Sequence, residues 1–314
     1  MYPLLFEPIL KPKVWGGERL RRFGRRCDGP TGESWEIADL DSTSPSGGGG
    51  DAAHSIVSNG EHRGTSIVDL RAEICDGGPF PLLVKYPDAR EHLSVQVHPS
   101  PEYAALHPEA HLKTESWYVV DAQPGSVIYK GVKPGVTPDE FARRIREGTI
   151  TEALVAVSAR VGDLHDLPSG TCHALGAGVL VAEVQTPSDT TFRVYDWARE
   201  YGRQGRDLHI EQAMRCLDFG EPPPVASGEG RLVANEHYTI DVLRLSCESV
   251  AIGPAPGFVA VMAIEGLGAI ASRSNAWPEV TLQPGTTALL PPSIVDDADL
   301  RMGPSSVALR LAQP

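Results

Sequence analysis

Residues 162–175 read GDLHDLPSGTCHAL, and the spacing within them, Gly162-x5-Pro168-x-Gly170-x2-His173, decides how the rest of the chain is read. Glycines and a proline at these intervals mark a strand that ends in a tight turn, with a histidine just beyond it. Three other stretches carry matching chemistry. SVQVHP (94–99) places Gln96 and His98 on one face of a strand, because alternate residues point the same way. LKTESWY (112–118) supplies Glu115, and TTFRVYDW (190–197) supplies Arg193. Two imidazoles and one carboxylate suit a catalytic divalent ion with an open position, and Gln96 would add a fourth, neutral ligand. The same histidines and carboxylate also fit the facial triad of non-haem iron oxygenases, so ligand type leaves zinc and Fe(II) both open.

The 162–173 spacing resembles the second sequence motif of cupin barrels, in which turn glycines deliver a histidine into the barrel mouth. The composition agrees with a β protein: 32 glycines and 27 prolines punctuate many short β-branched runs. PLLVKYPD, LSVQVHP, SWYVVD, SVIYKG, LVAVSARV, GDLHDLP and GVLVAEVQ read as strands. Helices are expected after Ser100-Pro101, over 208–217, briefly over 65–73, and in TPDEFARRIREG (137–148). The last has Thr137 and Glu140 spaced as a capping box, and Phe141 and Ile145 four apart. Residues 41–60, with four successive glycines, read as a flexible loop. GEPPPVASGEG (220–230) has a linker's composition. Beyond it Gly285-x5-Pro291 repeats the Gly162-x5-Pro168 spacing, with Asp296 at the place of His173 and His237 the only histidine. The expected fold is mainly β: two cupin-like β-barrel or jelly-roll units with a few short helices. A metal-binding domain over 1–220 is followed by a linker at 221–230 and a degenerate, metal-free unit over 231–314.

The net charge of −13 argues against non-specific nucleic-acid binding. One basic cluster, Arg19, Arg21, Arg22, Arg25 and Arg26, runs against it and reads as a solvated face or a subunit contact. No apolar run approaches the roughly 20 residues that span a bilayer. The first 17 residues, MYPLLFEPILKPKVWGG, lack the pattern of a signal peptide. Five irregularly spaced cysteines without a CxxC read as reduced thiols, and the expected compartment is the cytoplasm.

Around the ligand set stand cations suited to an anionic small molecule. Lys113 lies two residues from Glu115, Lys85 and Ser94 flank the Gln-x-His strand, and Arg193 and Arg199 follow His173. Cys172 faces away from His173 and reads as packing. His92, His107, His111, His165 and His209 read as satisfied core histidines, and Glu183, Asp189 and Asp196 as possible proton carriers.

Assembled, these residues resemble the class I mannose-6-phosphate isomerases, in their short bacterial form, over nearly the whole length. KVWGG (13–17) and GESWEIAD (32–39) look like the family's opening. PLLVKYPDAREHLSVQVHP (81–99) and KTESWYVV (113–120) look like its metal-binding core, and LPSGTCHAL (167–175) and SDTTFRVYDWAR (188–199) like its closing half. The resemblance implies one zinc per chain on His98, Glu115 and His173, with Gln96 as an additional ligand. It implies Arg193 as catalytic and Lys85, Ser94 and Lys113 as lining the substrate pocket; Arg199 is read beside them as a phosphate contact. The implied reaction converts mannose 6-phosphate to fructose 6-phosphate reversibly through a cis-enediol, and the implied partner is a small sugar phosphate, with the chain a monomer or homodimer. The 41–60 loop is unlike the family's tighter connection, and the C-terminal unit matches loosely. Isomerisation of a related sugar phosphate, an Fe(II) cupin oxygenase and a non-catalytic sugar-phosphate sensor are the alternatives.

Overall fold

A computed structural model describes residues 1–41 and 53–314; of the glycine-rich loop read over 41–60, residues 42–52 lie outside the described residues. The described chain is mainly β, and every strand pair in it is antiparallel.

Two sheets build the first unit. One has seven strands in the order Ala226–Ser227, Asp163–Leu167, Glu115–Ala122, Val179–Gln185, Leu83–Ala89, Glu33–Ile37, Ile9–Lys11. The other has five, in the order Leu154–Ser158, Val127–Val132, His173–Leu175, Val95–Val97, Phe192–Tyr195. Strand parity sorts the side chains of this second sheet. Val95, Val97, Cys172, Ala174, Phe192 and Val194 point outward into an apolar layer with Tyr103, Phe141, Ile145 and Ala213 from the helices. That layer leaves Gln96, His98, His173 and Arg193 on the opposite, inner face.

The helices follow the local signals. Thr137 caps Pro138–Glu147 by accepting from the Glu140 N–H at 3.2 Å, and Gly148 closes it in the left-handed conformation. The Glu140 carboxylate turns to Arg144 instead of completing the box. Ser100 caps Pro101–Leu106 in the same way, and the helix expected over 208–217 is Ile210–Cys216. The helix expected over 65–73 is a 3₁₀ turn, Ile67–Leu70, running into Arg71–Cys75.

The second unit repeats the two-sheet plan. Leu4–Leu5, Thr287–Leu290, Val259–Glu265, Ser306–Ala312, Thr239–Leu245 and Gly230–Ala234 form one sheet. Glu248–Ala251, Ala298–Met302, Gly268–Ser272 and Val280–Leu282 form the other. Chain crosses between the units at both ends: the N-terminal strand Leu4–Leu5 edges the C-terminal sheet, and Ala226–Ser227, within 221–230, pairs back onto Asp163 and Leu164. One apolar cluster spans the junction, with Phe80 and Phe258 at 4.6 Å between ring centroids. The seven-stranded sheet is therefore covered on both faces, which explains why Leu83–Ala89 and Val179–Gln185 are buried at every position.

In the basic cluster Arg21, Arg22 and Arg26 are exposed, as a solvated face requires, while Arg19 and Arg25 turn inward. Arg19 binds Asp88 at 2.7 Å, and Arg25 reaches both Glu36 and the Gly285 carbonyl at 2.6 Å, so Arg25 ties the units together. Among the described residues all five cysteines are free thiols, and no helix is long and apolar enough to cross a membrane.

Candidate active site

The two sheets of the first unit meet at three buried side chains. His173 comes from the five-stranded sheet, His98 from the residue just past its strand Val95–Val97, and Glu115 from the first position of its strand in the facing sheet. All three are only 1% exposed, and one donor atom from each lies within 4.8 Å of the others. His173 Nε2 is 3.0 Å from Glu115 Oε1, and His98 Nε2 is 3.5 Å from Oε2.

The second nitrogen of each ring fixes its orientation. His98 Nδ1 donates to the Thr190 carbonyl and His173 Nδ1 to the Thr171 carbonyl, each at 2.8 Å, which turns both Nε2 atoms toward Glu115. Among the described residues His98 Nε2 has no hydrogen-bond partner. Burial, helped by Lys113 and opposed by Glu115, pulls the His98 imidazole down to about 3, and it stands neutral as a metal ligand must. Burial pushes the Glu115 carboxyl up, but Lys113 and the two histidines outweigh it and hold Glu115 well below the usual carboxylate range. Two imidazoles and an ionised carboxylate, converging in a buried space, fit a divalent cation. Gln96 pairs with His173 across the ladder, its amide nitrogen 3.3 Å from His173 Nε2. A second acidic group, Asp39 with Asp41 and His54, is already neutralised by Arg71, which grips Asp39 at 2.6 and 2.8 Å.

Glu115 opens onto a pocket whose lining includes Lys85, Ser94, Gln96, Lys113 and Arg193, five of the residues singled out from the sequence. Lys113 Nζ lies 2.7 Å from Glu115 Oε2. Lys85 Nζ is 3.1 Å from Glu183 and 3.9 Å from Glu33. Burial lowers the Lys85 amine, but these carboxylates and Glu115 more than reverse that and keep it an ammonium. Burial and the neighbouring Glu115 raise the Glu183 carboxyl above its ordinary value, against the pull of both lysines. Glu183 and Asp189 reach the pocket; Asp196 does not, its carboxylate being taken by Arg206. Arg199 is exposed and also lies outside the lining.

Sequence reading passed over Lys13, Trp15, Glu33, Trp35 and Arg206, all of which line the pocket. Parity within GESWEIAD would have grouped two of them. Glu33 and Trp35 share a strand face, and the indole N–H donates to the Glu33 carboxylate at 2.7 Å. Burial pushes the Glu33 carboxyl up, yet Lys85, Lys13 and this hydrogen bond bring it down to about 2.

Behind His173 the interior stays polar. Lys130, its cross-strand partner, is 2% exposed with no partner for Nζ, and burial draws its amine down to about 8. His165 is buried with neither ring nitrogen hydrogen-bonded, so it is not the satisfied core histidine expected. Cys172 packs in the outer apolar layer, on the side away from His173.

No protein-family model matches the chain. It is 35% identical over 321 residues to a mannose-6-phosphate isomerase of Streptococcus mutans serotype c, covering 96% of each. Its fold superposes on the crystal structure of the mannose 6-phosphate isomerase from Bacillus subtilis with a TM-score of 0.84 at 28% identity, over 99% of both chains. A zinc-bound mannose 6-phosphate isomerase shares the fold at a TM-score of 0.73 and 15% identity, over 100% of both chains.

Proposed function

The chain belongs to the mannose-6-phosphate isomerase family, and from that premise we propose that it is a zinc-dependent aldose–ketose isomerase interconverting mannose 6-phosphate and fructose 6-phosphate. The observation that carries this reading is the buried His98–Glu115–His173 triad, with His98 Nε2 unpartnered and Glu115 reaching a pocket lined with cations.

In the reaction a proton leaves C2 of the open-chain aldose and is returned to C1 of the cis-enediol, while the hydroxyl proton shifts between O2 and O1. His98, Glu115 and His173, with Gln96 as an additional ligand, would hold the zinc, which would supply Lewis acidity. The chain's own residues do the rest. The Thr190 and Thr171 carbonyls aim the imidazoles, and Lys113 fixes the Glu115 carboxylate. Lys85 and Lys113, each beside a carboxylate, hold negative charge developing on the sugar oxygens. Arg193, on the strand beside Gln96, is the catalytic cation of this scheme, and Ser94 offers a hydroxyl to the sugar. Glu183 and Asp189 are the carboxylates within the pocket that stand as proton carriers. The working form is a cytoplasmic monomer or homodimer.

Purified protein incubated with mannose 6-phosphate should form fructose 6-phosphate, lose that activity to a chelator and regain it with zinc. No turnover with zinc fully loaded would sink the proposal.

A further inference from the structure

Five cations line the pocket, Lys13, Lys85, Lys113, Arg193 and Arg206, and they are not equally committed. Lys85 and Lys113 are tied to the carboxylates around the metal site. Arg193 is held differently. Its Nε is buried without a hydrogen bond, and Nη1 makes only a long contact, 3.4 Å, to the Asp207 carbonyl. Arg206 enters from the connection between the strand Phe192–Tyr195 and the helix Ile210–Cys216. Asp196 grips it three times: Oδ2 accepts from Nε at 2.8 Å and from the backbone N–H at 2.9 Å, and Oδ1 accepts from Nη2 at 3.3 Å. The Asp196 side chain is 5% exposed and that of Arg206 is 31% exposed, so a buried carboxylate braces a guanidinium that still faces solvent.

Charge then decides what this wall of the pocket takes. Burial and the nearby Arg206 both disfavour the charged form of Arg193. Two guanidiniums, Arg193 and Arg206, therefore share this wall, with Asp196 and Asp207 acting on Arg193 in the opposite sense. The Asp196 bonds occupy Nε and Nη2 of Arg206 and leave Nη1 for a ligand. A planar fork fixed in advance loses little side-chain freedom when it binds a tetrahedral oxyanion.

We propose that Arg206, braced by Asp196, recognises the phosphate of the substrate and thereby sets the preference for phosphorylated over free sugars. This rests on the sugar-phosphate isomerase reading. It gives Arg206 the role that the sequence suggested for Arg199, whose side chain is exposed and outside the pocket. Arg193, next to it, is left to the reacting end of the sugar.

The test compares zinc-loaded wild type, Arg206→Ala, Arg206→Lys, Asp196→Asn and Lys13→Ala by steady-state kinetics on mannose 6-phosphate, inhibition by inorganic phosphate, and calorimetric binding of inorganic phosphate. A charged hydrogen bond of the usual strength predicts that Arg206→Ala raises KM and the phosphate inhibition constant roughly 10- to 100-fold. The fall in kcat should be much smaller and zinc content unchanged. Arg206→Lys should recover part of the loss, and Asp196→Asn should show a smaller rise in KM through the loosened fork. Unchanged KM and phosphate binding in Arg206→Ala, or the loss appearing in Lys13→Ala instead, overturns the assignment. If Arg206→Ala fails to fold or load zinc, the lysine and Asp196→Asn variants carry the same comparison. Wild type that binds phosphate through Arg206 yet does not isomerise mannose 6-phosphate would sink the isomerase reading and leave the anion site standing.

Discussion

Gly162 and Gly285 adopt the same left-handed backbone, φ +92° and +87°, each six residues before a proline, Pro168 and Pro291, in the two β units. After Pro168 the chain turns through Gly170, also left-handed, into the strand that carries His173 inward. After Pro291 it enters a short helix, Pro292–Val295, that ends at the exposed Asp296. The interiors differ accordingly. The first unit encloses His98, Glu115, His173, Lys85, Lys113, Glu183, Lys130 and His165, while the second packs Met262, Ile270, Leu282, Leu300 and Leu309, its buried polar side chains being uncharged. Burying charge is costly unless it is paired or coordinated. The first unit bears that cost around a site, and the second keeps a similar turn while filling its centre with core.

Changes that strike each unit separate these roles. Glu115→Ala removes a ligand from the first unit and should strip zinc and lower turnover by at least about 10³-fold. Elemental analysis of the purified variant checks this, and one zinc still bound per chain would contradict the ligand assignment. Arg193→Ala should cost roughly 10²- to 10³-fold in turnover with zinc retained, as expected of a group that stabilises developing charge. Parallel loss of zinc would make Arg193 structural.

In the second unit Leu309→Ala should cost about 2–5 kcal/mol in denaturant unfolding and leave the folded protein's zinc stoichiometry intact. A folded Leu309→Ala protein that lost zinc would erase the distinction between the units.

The smallest effect is in pH. Burial pushes the Asp39 carboxyl up, but its bonds from Arg71, the Phe80 N–H and His54 hold it below its ordinary value. Its contribution is therefore complete above about pH 4, the range of a free aspartate, and is lost as pH falls through the lower folded value. Stability measured against pH should drop more gently in that range for Asp39→Asn than for wild type; identical slopes would remove Asp39 from the account.

The fold was legible where signals are local. Alternation in SVQVHP, the capping residues Thr137 and Ser100, and the turn before His173 each act within a few residues, and each appears where the sequence places it. His98, Glu115 and His173, the proposed ligands, come together because parity fixes which way each one points. Arg206 was not legible, since its place depends on a salt bridge to Asp196 ten residues away in irregular chain. Arg25, which crosses to Gly285, 260 residues on, likewise carries no mark in its own segment. Lys13 and Trp15 reach the pocket only after Gly16 and Gly17 dock against Ala89 and Thr31.

The most direct test is anomalous diffraction at the zinc edge from crystals of the metal-loaded protein. One peak per chain is expected, among His98, Glu115 and His173, and none in the second unit. A fully loaded protein whose zinc lies anywhere else, or in both units, would contradict it.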